Sequence, residues 1–219
     1  MGRFIVIDGL DGSGKETQAK LLVDFLNKKG YKTRVLSFPC YENDSSLFVK
    51  MYLEGKLGDN PDDTNAYAAS SFFAADRYLS FRTDWHKDIE DPDTVVIANR
   101  YTTANAVHQL AKLPQEQWDD FLSWLWEYEF DKLGIPRPTD ILYLEMHPDI
   151  SLKLIRSRSE KTGRVMDIHE THEDFLYRSY RAALYASEKL GWTRLCCYEG
   201  KEPKPRETIA AEIRKALGY

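Results

Sequence analysis

The sequence predicts an α/β fold with a parallel sheet, and three features carry that expectation. A short apolar strand, Phe4 to Ile7, runs into a glycine-rich loop and then a helix, Glu16 to Lys29. The chain returns to a second strand at Thr33 to Phe38, and strand–helix–strand at this spacing is a right-handed βαβ unit. A third run, Thr94 to Ala98 (Thr-Val-Val-Ile-Ala), is continuously apolar, as a central strand covered on both faces must be.

The first strand stops at Asp8 and enters a loop with glycines at Gly9, Gly12 and Gly14, followed by Lys15. Strand, glycine-rich loop, lysine and helix form a phosphate-binding loop. Glycines let successive backbone N–H groups turn inward onto phosphate oxygens, the helix N-terminus adds partial positive charge, and Lys15 adds a full one. Gly9, Gly12, Ser13, Gly14, Lys15, Glu16 and Thr17 are therefore the candidate nucleotide-binding residues. Glu16 stands where a hydroxyl residue usually binds Mg²⁺, and Thr17 comes one place late. An anion there repels a triphosphate, so Glu16 is expected to point away.

The first helix carries Ala19, Leu22, Val23 and Leu26 at helical spacing and ends near Gly30. Pro39 ends the second strand. The polar loop 39–46 then leaves the strand's C-terminal edge, where open α/β sheets bind ligands. A short helix follows at Leu47 to Leu53, and a long one is expected from about Asn65 to Trp85. Within it Phe73 and Arg77 are four residues apart and share a face. Such a pair can stack on a base and bond its carbonyl groups, and it equally fits one core phenylalanine and one surface arginine. Arg100, directly after the third strand, can reach an anion with a bidentate fork. Asn105, His108 and Gln109 on the next helix either line a pocket or face solvent. Residues 114–131 hold Trp118, Trp124 and Trp126 on a rich apolar face, for which a helix–helix dimer contact and core packing are equal explanations. Ile141 to Leu144 and Leu195 to Tyr198 complete five strands. Helices are expected at Ile150 to about Ser157, Asp174 to Lys189 and Glu207 to Leu217. Residues 156–164 hold Arg156, Arg158, Lys161 and Arg164 against Glu160, a local charge of +3 from four positive and one negative group. With Thr162-Gly163 inside it, this stretch reads as a mobile cationic lid over a triphosphate, or as a solvated helix end.

The 219 residues suit one α/β domain, and a net charge of −5 makes the chain a poor general binder of nucleic acid. No run approaches a membrane span, and the first strand is expected to begin the chain without a signal peptide. Cys40, Cys196 and Cys197 are odd in number and lack metal-ligand spacing, as expected of reduced thiols in a cytoplasmic protein. No Ser/His/Asp arrangement competes with the phosphate loop. Phosphoryl transfer needs positioning and charge neutralisation, and those parts are present: Lys15 for a donor, Arg100 for an acceptor phosphate, lid arginines between them. Mg²⁺ is expected to arrive with ATP, held mainly by phosphate oxygens, with Asp11 as the candidate carboxylate.

Together the loop Gly-Leu-Asp-Gly-Ser-Gly-Lys, the stretch Phe-Phe-Ala-Ala-Asp-Arg, the Asn-Arg-Tyr segment and Lys-Thr-Gly-Arg resemble the thymidylate kinase family in order and spacing, over nearly the whole chain. The resemblance implies a nucleoside-monophosphate-kinase fold, with a five-stranded parallel sheet flanked by helices on both faces. It also implies a single kinase domain over 1–219, with phosphate loop 9–17, acceptor helix about 65–85 and lid about 156–168. It further implies a homodimer and ATP-dependent conversion of dTMP to dTDP. On that resemblance Lys15 contacts the transferred phosphate and Asp11 lies near the acceptor's sugar hydroxyl and phosphate or the Mg²⁺. Phe73 stacks on thymine, Arg77 bonds its carbonyl, Asn105 is a polar base contact, and Arg100 binds the acceptor phosphate. Gly12 is not basic, which points to Arg158 or Arg164 in the lid as the transition-state arginine, as in bacterial-type members. Tyr41 and His108 fall at acceptor positions. Asn99 in place of Asp, Cys40 or Tyr41 in place of Arg, and His108 in place of Tyr depart from the family. A related kinase with another nucleoside or nucleotide acceptor is the alternative, and a nucleotide-binding switch without catalysis a third possibility.

Overall fold

The computed structural model describes residues 2–163 and 166–219. Five strands form one parallel sheet in the order β2–β3–β1–β4–β5: β1 (Phe4–Gly9), β2 (Lys32–Ser37), β3 (Thr94–Asn99), β4 (Asp140–Glu145) and β5 (Thr193–Cys196). β1 sits at the centre, with Ile5 opposite Ile97 on β3 and Asp140 on β4. Side chains alternate along β1, so Ile5 and Ile7 face one layer and Phe4 and Val6 the other. The first layer is closed by α1 (Lys15–Lys28), through Ala19, Leu22 and Leu26, and by the final helix Arg206–Ala216, through Ile209 and Ile213. The second packs Phe4 and Val6 on Leu36, Phe38, Trp85 and Tyr101. Burial on both faces is why these strands read as unbroken apolar runs.

The C-terminal ends of β1, β2 and β3 all point to one edge, and the functional elements gather there. α2 (Leu47–Leu53) and α3 (Ala66–Ser80) lie beyond β2. The long helix expected over 65–85 continues past α3 through a π-helical turn at Phe81–Trp85 into α4 (His86–Glu90). α5 (Thr102–His108) follows β3 directly. The tryptophan-rich segment is α6 (Trp118–Trp126) with a π-helical turn at Glu127–Lys132. Its aromatic rings are used within the chain: Trp118 lies 5.1 Å from Tyr185, and Trp124 lies 4.7 Å from Tyr67.

Two boundaries differ from expectation. α7 (Pro148–Thr162) runs five residues beyond Ser157, so Arg158 and Lys161 stand on a helix rather than in a loop. Its last two turns are polar and at most half-buried after Ile155, which removes the apolar periodicity that marks a helix in sequence. Gly163, with φ +68°, ends it. β5 begins two residues early because it is an exposed edge strand without a buried pattern. Residues 198 and 199 pair instead with 202 and 203 in a short hairpin, β6 (Tyr198–Glu199) and β7 (Glu202–Pro203). α8 (Ile168–Thr171), α9 (Glu173–Lys189) and α10 (Arg206–Ala216) complete the chain. No helix among the described residues is long and apolar enough to cross a membrane.

Candidate active site

The phosphate loop bridges β1 and α1. Gly12 has φ +78° and Gly14 +86°, conformations that cost little only for glycine. Gly12 has a second reason: a Cβ there would lie 2.8 Å from the Ser151 carbonyl oxygen on α7. The loop can pack under α7 only without a side chain. Gly9 is similarly confined, 2.6 Å from Leu144 O. Ser13 donates its N–H to Leu10 O at 3.0 Å, and its buried hydroxyl has no partner among the described residues. Asp8 stiffens the loop's first turn, accepting Gly9 N–H at 2.7 Å and the Thr103 hydroxyl.

Lys15 folds back over the loop and donates to Gly9 O and Leu10 O, each at 2.8 Å. Burial, then the nearby Arg100 cation, pushes its ammonium down to about 8. Asp11 is ion-paired to Arg100 and lies 3.9 Å from Lys15. Burial would raise the Asp11 carboxyl, but Arg100 and Lys15 together hold it well below the usual carboxylate range. Arg100 itself has φ +65°, a left-handed backbone that a non-glycine residue adopts at a cost of order 1 kcal/mol or more. That turn at the end of β3 aims the guanidinium back at the phosphate loop.

Asp11, Gly12, Gly14, Lys15, Glu16 and Thr17 line an open cleft of about 420 Å³. Tyr41, Asn99, Arg100 and Arg158 line it as well. Arg158 reaches the cleft from α7 and is ion-paired to Glu170. Glu16 is exposed yet lines the cleft, against the expectation that it would point away. Arg164 lies outside the described residues. Among those described, no cluster of three or more His, Cys, Asp or Glu side chains forms a metal site. The cleft does collect the hard oxygen donors Asp11, Glu16 and Thr17, the kind that suit Mg²⁺ shared with phosphates.

A second, enclosed cavity adjoins the first and shares Phe38, Pro39 and Arg100 with it. Its apolar wall is Leu53, Phe73 and Ala104, and its polar wall includes Arg77, Asn105, His108 and Gln109. Asp167 and His169 close it. Arg77 is fully buried, not a surface residue. Its Nε and Nη2 donate to Glu129 at 2.7 and 2.6 Å, and Nη1 donates to Tyr101 O at 3.3 Å. The same Glu129 accepts from Thr102 Oγ1 at 2.8 Å and Asn105 Nδ2 at 3.0 Å. One buried carboxylate thus fixes two of the cavity's polar side chains. The His108 ring stacks on His169 at 5.0 Å, and His169 Nε2 meets the Tyr52 hydroxyl at 2.8 Å. Phe73 stands edge-on to Tyr52 at 6.1 Å. The cavity is closed down to about 20 Å³, room for roughly one water, whereas a nucleotide needs several hundred. Binding there requires its walls to separate.

Glu129, Asp167 and His169 escaped the sequence reading. Glu129 is 52 residues from Arg77, and no local pattern announces such a pairing. Asp167 did leave a signal. It caps α8 by accepting His169 and Glu170 N–H groups, and Glu170 bonds back, so Asp167-x-x-Glu170 is a capping box. Burial, then the Asp11 carboxylate, raises Asp167 to about 6.

The described geometry places a phosphate-loop cleft beside a half-polar cavity. Comparison with known proteins agrees. The thymidylate kinase family model matches residues 7–199. Thymidylate kinase of Mycobacterium tuberculosis is 28% identical over 192 residues, 86% of this chain and 87% of that protein. A probable thymidylate kinase of Thermococcus gammatolerans is 32% identical, covering 74% of each chain. The solved structure of thymidylate kinase from Candida albicans has a TM-score of 0.69 at 18% identity, covering 99% of this chain and 91% of that one, a likeness of fold. With the matched segment spanning the phosphate loop, Arg100 and α7, the chain belongs to the thymidylate kinase family.

Proposed function

We propose that the protein transfers the γ-phosphoryl group of ATP to dTMP, giving dTDP and ADP. The observation that carries this is the wall shared by the two cavities: Arg100, with Phe38 and Pro39, belongs to both the phosphate-loop cleft and the enclosed cavity. A donor held at Lys15 and an acceptor phosphate held at Arg100 then meet in line across Asp11. In the donor cleft the loop N–H groups and Lys15 bind the β- and γ-phosphates, and Lys15 must leave the Gly9 and Leu10 carbonyls to do so. Arg158 moves from Glu170 to the charge developing on the transferred group, worth about 3 kcal/mol for one preorganised donor. Arg164 is the other lid arginine proposed for this role. Asp11, released from Arg100 as Arg100 turns to the acceptor phosphate, faces the acceptor sugar. Bound Mg²⁺, with Asp11 and Thr17 as candidate protein ligands, supplies charge neutralisation between the phosphates. In the acceptor cavity Phe73 stacks on the base and Arg77, locked by Glu129, donates to its carbonyl. Asn105 and His108 line the polar side, and Tyr41 lies at the entrance.

A homodimer belongs to the same proposal, on α2 and α3 rather than α6. Ala68, Phe72, Ala75 and Leu79 recur at helical spacing along α3, and Phe48, 55% exposed, lies 5.9 Å from Phe72. Sedimentation equilibrium should give a dimer for the wild type and a monomer for Leu79→Glu; a wild-type monomer would exclude it.

The test of function is ADP release from ATP with a panel of nucleoside monophosphates. dTMP should support turnover, and Lys15→Ala should abolish it. Turnover with other acceptors and none with dTMP would replace dTMP with another substrate.

A further inference from the structure

The enclosed cavity has more hydrogen-bonding capacity than its own side chains use. His108 and Gln109 lie on one face of α5 and its C-terminal cap with Ala104 and Asn105, at spacings of three and four residues. His108 is 5% exposed and Gln109 1% exposed. Among the described residues, both ring nitrogens of His108 and the Oε1 of Gln109 have no partner, and both residues line the cavity wall. The neighbouring polar groups are committed: Arg77 and Asn105 to Glu129, and His169 Nε2 to Tyr52. Burial, then Arg100, pushes His108 down to about 3, so its ring is neutral and offers one N–H and one lone pair. An apolar substrate edge would leave these groups unsatisfied. A hydroxyl, with one proton and two lone pairs, matches a neutral imidazole beside an amide oxygen.

The position of that hydroxyl follows from what shares the cavity with His108. Arg100 lines the same cavity and also the phosphate-loop cleft, which sets the hydroxyl toward the acceptor's sugar and phosphate. Asp11 is the group proposed above for the sugar hydroxyl already present in dTMP. Resting on the kinase function proposed above, we propose that His108 and Gln109 form a subsite for a 2′-hydroxyl, so that the enzyme also phosphorylates ribonucleoside monophosphates carrying a pyrimidine base. The hydroxyl accepts from the His108 N–H and donates to Gln109 Oε1 or the remaining imidazole nitrogen. No new bond-breaking step is involved: the phosphoryl group still passes from ATP to the acceptor phosphate.

The test compares kcat/KM for ribothymidine 5′-monophosphate, its 2′-fluoro-2′-deoxy analogue and dTMP. In the wild type the ribonucleotide should exceed the 2′-fluoro compound, which cannot donate, by at least tenfold. In His108→Phe the ribonucleotide-to-dTMP ratio should fall at least tenfold. A smaller difference in the first comparison overturns the proposal, even if the variant does not fold. An unchanged ratio in a folded variant overturns it as well. 5-Hydroxymethyl-dUMP is the control for placement: if that compound, rather than the ribonucleotide, is favoured and loses its advantage in His108→Phe, the subsite faces the base and the proposal fails. No turnover with dTMP or any other acceptor would instead refute the kinase function itself.

Discussion

Glu129→Ala is the perturbation whose size follows most directly from the structure. Glu129 is completely buried and accepts four hydrogen bonds, two from Arg77 and one each from Thr102 and Asn105. Removing it leaves the Arg77 guanidinium as a buried charge with Tyr101 O at 3.3 Å as its remaining hydrogen bond among the described residues. Breaking a buried pair from one side typically costs about 3–5 kcal/mol, and at about 2–4 °C per kcal/mol for a chain of this size the Tm should fall by about 6–20 °C. The assay is urea unfolding with a parallel thermal melt. The double variant Arg77→Met/Glu129→Leu is the control, because replacing both partners by apolar groups of similar size removes the charge as well as its neutraliser. It should recover most of the lost stability and still fail to bind dTMP, since the base-reading guanidinium is gone. A loss below about 1 kcal/mol in Glu129→Ala, or no recovery in the double variant, would show that the pair is not the keystone of the acceptor wall.

Arg158→Ala should lower kcat more than it raises KM, by about 3 kcal/mol in the barrier, and unchanged turnover in steady-state kinetics would remove Arg158 from the lid's catalytic role. Phe73→Ala should weaken dTMP binding by roughly 1–3 kcal/mol in calorimetry, with unchanged affinity assigning the ring to the core alone. Gly12→Ala puts a Cβ 2.8 Å from Ser151 O at a positive φ, so it should cost about 1–3 kcal/mol of stability in denaturant unfolding, and a neutral result would mean that α7 is free to retreat. The pH profile should report Lys15. Its pKa is lowered to about 8, so the free enzyme loses the ammonium above that pH and kcat/KM for ATP falls. Bound phosphates favour the charged form, so kcat should hold to higher pH; a kcat/KM flat to pH 9.5 would contradict the buried, Arg100-facing position of the amine.

The elements that carry an unambiguous local code were legible in the sequence. β1, the phosphate loop and α1 follow from an apolar run, glycine spacing and helical periodicity, and Arg100 could be placed at a ligand edge from topology alone, whereas Phe73 was assigned by family resemblance. Elements whose code is weak were displaced: the polar end of α7, the exposed edge strand β5 and the π-helical turns within the long helix and after α6. Trp118 and Trp124 looked equally suited to a partner helix until Tyr185 and Tyr67 were found against them. What stayed hidden depends on contacts across long stretches of chain. Nothing near Glu129 shows that it will meet Arg77, and nothing near His169 shows that it will stack on His108. Such pairings are set by how helices pack on the sheet, and local propensity carries no trace of them.

The most direct measurement is to follow the label from [γ-³²P]ATP with dTMP as the sole acceptor. Phosphoryl transfer across the Arg100 wall predicts labelled dTDP in step with ADP, and no labelled dTDP from Lys15→Ala. Label released as inorganic phosphate at the same rate with or without dTMP would contradict it.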